Sequence, residues 1–303
     1  MPMFDKLRLT TTALLVSLVT LAPACKPAEE DDADEGADET ADTLYDRLGG
    51  EEGIRAVVED AVVNRIAADP KINAFFFNDG VDITITINCL VDQLGSLTGG
   101  PQTYPNDNCR DMKETHEGMG VSDNDFNDLA GHFVAALTDA GVAQADIDVI
   151  VEALVGMHDD IVEDPTNDAS VYQRVGRQPA IQTLVTNFVD LVLADPTLMA
   201  FFTSTDRPRF EACLVRQVCG IDGPCEYGLE VPAFQPELGG SVCRDMLSSH
   251  EGLTITIEDF TALVGHLVTA MTDAGVAQAD QDAILGALGP LCTDIVTDPA
   301  TCP

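Results

Sequence analysis

Apolar residues recur along this chain at helical spacing, and they do so twice. Ile54 to Ala68 and Ile181 to Ala194 both show the three-to-four-residue period of an amphipathic helix. Both segments stop at an Asp-Pro pair, Asp69-Pro70 and Asp195-Pro196, because the residue before proline avoids helical geometry. Phenylalanines follow each stop, Phe75-Phe76-Phe77 in the first half and Phe201-Phe202 in the second. A further helical stripe, Phe126, Leu129, Phe133 and Leu137, is matched by Phe260, Leu263, Leu267 and Met271. The stretch Thr138 to Asp146 returns unchanged as Thr272 to Asp280 and reads as a helix stop, a turn and a new start. Final helices are predicted over residues 145–162 and 279–296. Only Ile83-Thr-Ile85-Thr-Ile87 alternates like a strand, and it is equally compatible with helix. The pattern predicts an all-α chain built as a tandem repeat.

Composition sharpens this picture more than it changes it. A chain of 303 residues has room for two ordinary domains. Its net charge of −37 leaves too few cations to replace the counterions on phosphates, so nucleic acid is excluded as a partner. The N-terminus breaks the helical pattern. Lys6 and Arg8 precede an uncharged apolar run from Leu9 to Ala22, too short to span a bilayer comfortably and typical of a signal peptide. It ends in Leu21-Ala22-Pro23-Ala24-Cys25, which resembles a bacterial lipoprotein signal with Cys25 as the lipidated residue. Residues 1–24 are therefore expected to be cleaved. A lipid at Cys25 would anchor the chain to the outer membrane or cell surface, in the periplasm or outside the cell. Residues 25–42 are acidic and poor in large apolar groups, as expected of a disordered tether.

Eight cysteines remain beyond Cys25, an even number that in an oxidising compartment reads as disulfides. Cys89 and Cys109 correspond to Cys213 and Cys243, which favours pairing within each of those sets. Cys219 with Cys225, and Cys292 with Cys302, belong to the second half alone. Zinc would need clustered Cys and His ligands at short spacing, and none appears.

The strongest repeat is chemical. Cys109-Arg-Asp-Met-Lys-Glu-Thr-His116-Glu-Gly recurs as Cys243-Arg-Asp-Met-Leu-Ser-Ser-His250-Glu-Gly. Each copy presents one histidine in the same register, and neutral imidazole is the commonest protein metal donor. The order of elements around it resembles a known family. An opening Leu44-Tyr-Asp-Arg-Leu-Gly-Gly, a helix ending in Ala-Asp-Pro, a Phe-Phe pair, the Arg-Asp-Met-x-x-x-His segment and an Ala-Gly-Val turn are similar to group 1 truncated haemoglobins. The resemblance implies two tandem truncated-globin domains, two-over-two helical sandwiches, at 43–165 and 170–303. It also implies one haem b per domain, with His116 and His250 binding iron from the proximal side.

The resemblance extends to the pocket. Phe77 (or Phe76) and Phe202 would pack against haem, Met112 and Met246 would line its proximal edge, and Arg110 and Arg244 would pair with its propionates. The family usually offers a tyrosine after phenylalanine on its second helix to hydrogen-bond bound dioxygen. Here Val63 and Val189 stand at that place, after Val62 and Phe188. On the next helix Phe210 and Leu214, and Thr86 and Leu90 in the first half, replace the polar residues usual over the iron. A hydrogen bond to a charge-bearing ligand is worth about 1.5–3 kcal/mol. Losing it weakens oxygen retention by about ten- to a hundredfold. His132 and His266, also duplicated, are expected at the core edge or surface, and His158 is given no role.

These observations point to an exported tandem globin that reversibly binds oxygen, nitric oxide or carbon monoxide. Nitric oxide dioxygenation or peroxidase turnover would need a distal polar group and a reductant, and neither is visible in the sequence. The other alternative is a haem-free interaction module in which disulfides supply the stability that haem would otherwise give.

Overall fold

The computed structural model describes residues 42–78, 80–228 and 243–303. The signal segment, Cys25 and all but the last residue of the acidic tether lie outside the described residues. Residues 42–303 form one compact unit. It is helical, with no named strand among the described residues.

The first repeat runs α1 (Leu44–Arg47), α2 (Gly50–Glu59), α3 (Ile83–Leu97), α4 (Met112–His116), α5 (Asp123–Asp139), α6 (Gln144–Gly156) and α7 (His158–Ile161). The second runs α8 (Val171–Val175), α9 (Arg177–Ala194), α10 (Arg207–Cys219), α11 (Met246–His250), α12 (Ile257–Asp273), α13 (Gln278–Leu288) and α14 (Cys292–Ile295). In each, one helix (α2 or α9) packs against both its neighbour (α3 or α10) and the long helix (α5 or α12). Capping boxes start both long helices, Ser122 with Asp125 and Thr256 with Asp259.

The ambiguous Ile83–Ile87 stretch is helical. Asp82 caps it by accepting hydrogen bonds from the Thr84 and Ile85 amides. Ile83 and Ile87, four residues apart, pack on the core while Ile85 faces solvent, which is a helical face and not a pleat. The final helices are each broken where one continuous helix was expected. Pro290 interrupts the second with a 3₁₀ turn, Gly289–Leu291, and the first ends at Gly156. The short segments after the breaks, α7 and α14, pack against α4 and α11.

One difference between the repeats lies inside the second helix. α9 is α-helical throughout, whereas α2 continues as a π-helical segment, Asp60–Ile66. Ile54, Val57 and Val58 match Ile181, Leu184 and Val185 with an offset of 127, yet Asp69 matches Asp195 with an offset of 126. The first repeat therefore carries one extra residue, and the π segment absorbs it. Val62, not Val63, matches Val189: both are fully buried, while Val63 is 52% exposed.

The repeats meet through buried polar contacts. Arg177 of α9 forks to Asp125 (2.7 Å) and Asp128 (2.5 Å) of α5. The Gln173 amide donates to the same Asp125 carboxylate at 2.7 Å, and the Tyr172 hydroxyl donates to the Lys71 carbonyl at 3.2 Å. Ala74 packs into the second repeat's core, and the Asn78 amide donates to the Pro224 carbonyl.

Candidate functional site

The two histidines are built identically. Asp111 and Asp245 cap five-residue helices by accepting from the Glu114 and Ser248 amides at 2.8 Å. The histidine ends each helix and turns its ring back along it. His116 Nδ1 lies 2.7 Å from the Met112 carbonyl oxygen, and His250 Nδ1 lies 2.7 Å from that of Met246. A carbonyl only accepts, so in the neutral ring Nδ1 carries the proton and Nε2 keeps its lone pair. The far nitrogen of each ring is thereby prepared as a donor to a metal. Burial pushes the His116 pKa below its ordinary value, the bond to the Met112 carbonyl opposing it, and this favours the neutral, ligating form.

In the second repeat His250 faces a cavity of about 1090 Å³. Two apolar clusters bound it. The main core contributes Val185, Phe188, Leu198, Val218 and Leu267, and the smaller cluster contributes Phe260 and Cys292. Phe202, Phe210, Leu214 and Met246 line it as well, and the Phe202 and Phe210 rings contact each other with centroids 5.1 Å apart. Arg244 reaches the cavity but is otherwise exposed, as is Arg110 in the first repeat. Two acids on its wall, Asp206 and Asp259, are occupied as helix caps, accepting from the Arg209 and Thr256 amides.

The first repeat shows the same division into two apolar clusters. Val121, Phe126 and Ile161 form the smaller one with Met112, Met119 and Met157, and Phe75 packs against both it and the main core. His158 stands where the second repeat has Cys292. It lies edge-on to Phe126 and 3.1 Å from Asp123. His132 and His266 bond Asp69 and Asp195, the acids of the Asp-Pro stops.

Two placements differ from expectation. Val63 points to solvent because the inserted residue shifts the register, so it forms no pocket wall. Val189 is fully buried in the main core, and its neighbours Val185 and Phe188 face the cavity instead. The common offset of 126 pairs Phe202 with Phe76, which packs on the first core, whereas Phe77 is half-buried. Cys89–Cys109 and Cys213–Cys243 are bonded and tie α3 and α10 to the segments leading into α4 and α11. Cys219–Cys225 and Cys292–Cys302 are bonded too.

A duplicated glutamine was missed in the sequence. Gln217 lines the second cavity, with its amide 3.8 Å from the Met246 sulfur; Gln93, at the same register, lies 3.0 Å from the Met157 sulfur. Each follows its cysteine, Cys213 or Cys89, by four residues, and that spacing was a usable signal.

Among the described residues no group of three or more His, Cys, Asp or Glu side chains could hold a bare metal ion. A single prepared imidazole facing an apolar cavity suits a metal that arrives with its other ligands attached.

The family model for bacterial-like globins matches residues 43–163 and again 170–297. The group 1 truncated hemoglobin GlbN of Mycolicibacterium paratuberculosis is 36% identical over 135 residues, covering 44% of this chain and 88% of that protein. The group 1 truncated hemoglobin GlbN of Nostoc sp. is 33% identical over 115 residues, covering 38% and 92%. A crystal structure of truncated hemoglobin from Tetrahymena pyriformis in its Fe(III) form is 28% identical. It covers 40% of this chain and 97% of that one, with a TM-score of 0.36.

Proposed function

Because the chain belongs to the bacterial-like globin family, twice over along its length, we propose that each repeat binds one haem b and, through it, a diatomic gas. The observation that carries this reading is the matched Nδ1–carbonyl bond, which leaves Nε2 of His116 and of His250 free to ligate iron. The residues present fit the group. The second cavity has the volume and apolar lining that a porphyrin requires, with His250 on its wall and Arg244 at hand for a propionate. When bound, haem supplies an iron with one position open to oxygen, nitric oxide or carbon monoxide.

The chain's own residues then set the selectivity. Phe188, Phe202, Phe210 and Leu214 give the second pocket an apolar wall without a hydrogen-bond donor, while Gln217 brings an amide to the lining beside Met246. A gas held against that apolar wall, away from Gln217, pays more as dioxygen, whose partial negative charge wants a donor, than as carbon monoxide or nitric oxide. The cavity's acids serve as helix caps, which supports reversible binding over acid–base turnover.

Haem-reconstituted protein should show a Soret band, reduced by about half in His116→Ala and in His250→Ala and lost in the double variant, one ligand per site. No band in the unmodified protein would end this reading. Export and anchoring through Cys25 belong to the same proposal, supported by the leader pattern and the four disulfides. Labelled palmitate should enter the protein expressed in a bacterium, and fail to enter Cys25→Ala; equal labelling of both would refute the anchor.

A further inference from the structure

Arg177 occupies a backbone position made for glycine. Its φ is +64°, and the residue at the same place in the first repeat is Gly50, with φ +66°. Glycines precede both, Gly49 and Gly176, also left-handed. Glycine adopts this conformation freely, whereas a side chain with a Cβ is strained in it. An arginine held there must do something a glycine cannot.

What it does is grip the first repeat. Its guanidinium, 12% exposed, bridges Asp125 and Asp128. Asp125 is itself buried and also accepts from Ser122 and Gln173. The next residue, Phe126, packs with Val121, Ile161 and Met112 beside His116; its counterpart Phe260 lines the second cavity. The second repeat also holds residues 71–78, through Tyr172 on the Lys71 carbonyl, Ala74 in its core and Asn78 on the Pro224 carbonyl. That segment carries Phe75, the residue that packs against both apolar clusters of the first repeat. Tyr172, Gln173, Arg177 and Pro224 are not among the residues lining the second repeat's own cavity.

We propose that the second repeat completes the haem slot of the first, with Arg177 as the positioning residue for the segment bearing Phe126 and Tyr172 as that for the segment bearing Phe75. The proposal rests on the haem reading for its ligand. Its geometry does not depend on that reading, because the grip is made by the folded second repeat and not by the second repeat's cofactor.

The test uses the full chain with one ligand histidine removed at a time. In His250→Ala, haem remains at His116, and adding Arg177→Gly should speed its transfer to an excess of a haem-accepting globin by at least about fivefold, the low end of coupling between sites. In His116→Ala, haem remains at His250, and the same substitution should leave transfer within about twofold, as for independent sites. Arg177→Gly gives the backbone that Gly50 already has, so the helix is expected to form normally. Tyr172→Phe deletes one hydrogen bond and should act in the same direction more weakly. Equal acceleration at both sites, or none at either, would overturn the proposal. Amide exchange on haem-free protein provides the second readout. Arg177→Gly should raise exchange across 122–128 and Tyr172→Phe across 71–78, and both should leave 246–260 unchanged. If the parent shows no Soret band the haem reading fails, and unchanged exchange across 71–78 and 122–128 would then overturn the grip as well.

Discussion

The disulfides that cross from α3 and α10 to the segments leading into α4 and α11 should dominate the stability of their repeats. Cys89–Cys109 closes 20 residues and Cys213–Cys243 closes 30. Restricting the unfolded chain by loops of those lengths is worth about 3.3 and about 3.6 kcal/mol at 25 °C. Cys292–Cys302 and Cys219–Cys225 close 10 and 6 residues and are worth about 2.7 and about 2.2 kcal/mol by the same relation. A stable domain has only about 5–15 kcal/mol in all, so either crossing bond is a large share of it. The perturbation is paired replacement, Cys89→Ser with Cys109→Ser, and separately Cys213→Ser with Cys243→Ser.

Guanidinium unfolding of haem-free protein, followed by circular dichroism, reads the loss directly as a shift in midpoint. At roughly 4 °C per kcal/mol for a repeat of this size, the melting temperature should fall by about 13 °C. The four losses should rank with loop length. A loss below about 1 kcal/mol for either crossing bond would refute the reasoning, since the loop must then be closed in the unfolded chain by something else. A larger loss from the six-residue loop than from the thirty-residue one would refute it equally.

Two further outcomes follow from the structure. Val62→Asp should unfold or severely destabilise the first repeat, because an unpaired carboxylate would sit at a fully buried site, whereas Val63→Asp should stay within about 0.5 kcal/mol of the parent by thermal melting; comparable losses from both would contradict the assigned register. His158 has its pKa raised, first by its bond to Asp123 and then by Asp159, with burial opposing. A raised folded-state value contributes stability that is full below the ordinary histidine range and is lost as pH rises through the folded value. His158→Gln should therefore cost more at pH about 5.5 than at about 8.5, as measured by denaturant midpoints, and an equal cost at both would remove the protonated pair from the account.

Much of this molecule was legible because it is written twice. A cysteine and a histidine in one register, found again 134 residues later, identify a constrained segment without any other sequence for comparison. The same doubling was available for Gln93 and Gln217, but an amide among apolar residues carries no period of its own and so drew no notice. Arg177 was hidden for a different reason. Its partners Asp125 and Asp128 lie about fifty residues earlier, on a face that only packing between the repeats brings within reach. Its backbone strain is visible from sequence only by setting it against Gly50. The breaks before α7 and α14 had a local marker in Pro290 and a weaker one in Gly156.

The π-helical segment shows why a correct pattern still placed one residue wrongly. In an α-helix each residue turns the face by about 100°, so one added residue would rotate everything after it out of the core. Ile66 and Asp69 would then lose the positions that Val192 and Asp195 hold in the second repeat. Instead both Ile66 and Val192 are fully buried, and both aspartates meet their histidines. The wider turn keeps Val57 and Val58 inside above the insertion and Ile66 inside below it, and leaves Val63 and Asn64 outside as the slack. Two adjacent valines make the apolar pattern indifferent to which of them is inward. Only the change of offset from 127 to 126 between Val62 and Ile66 decides it, and that offset is set by the core on both sides.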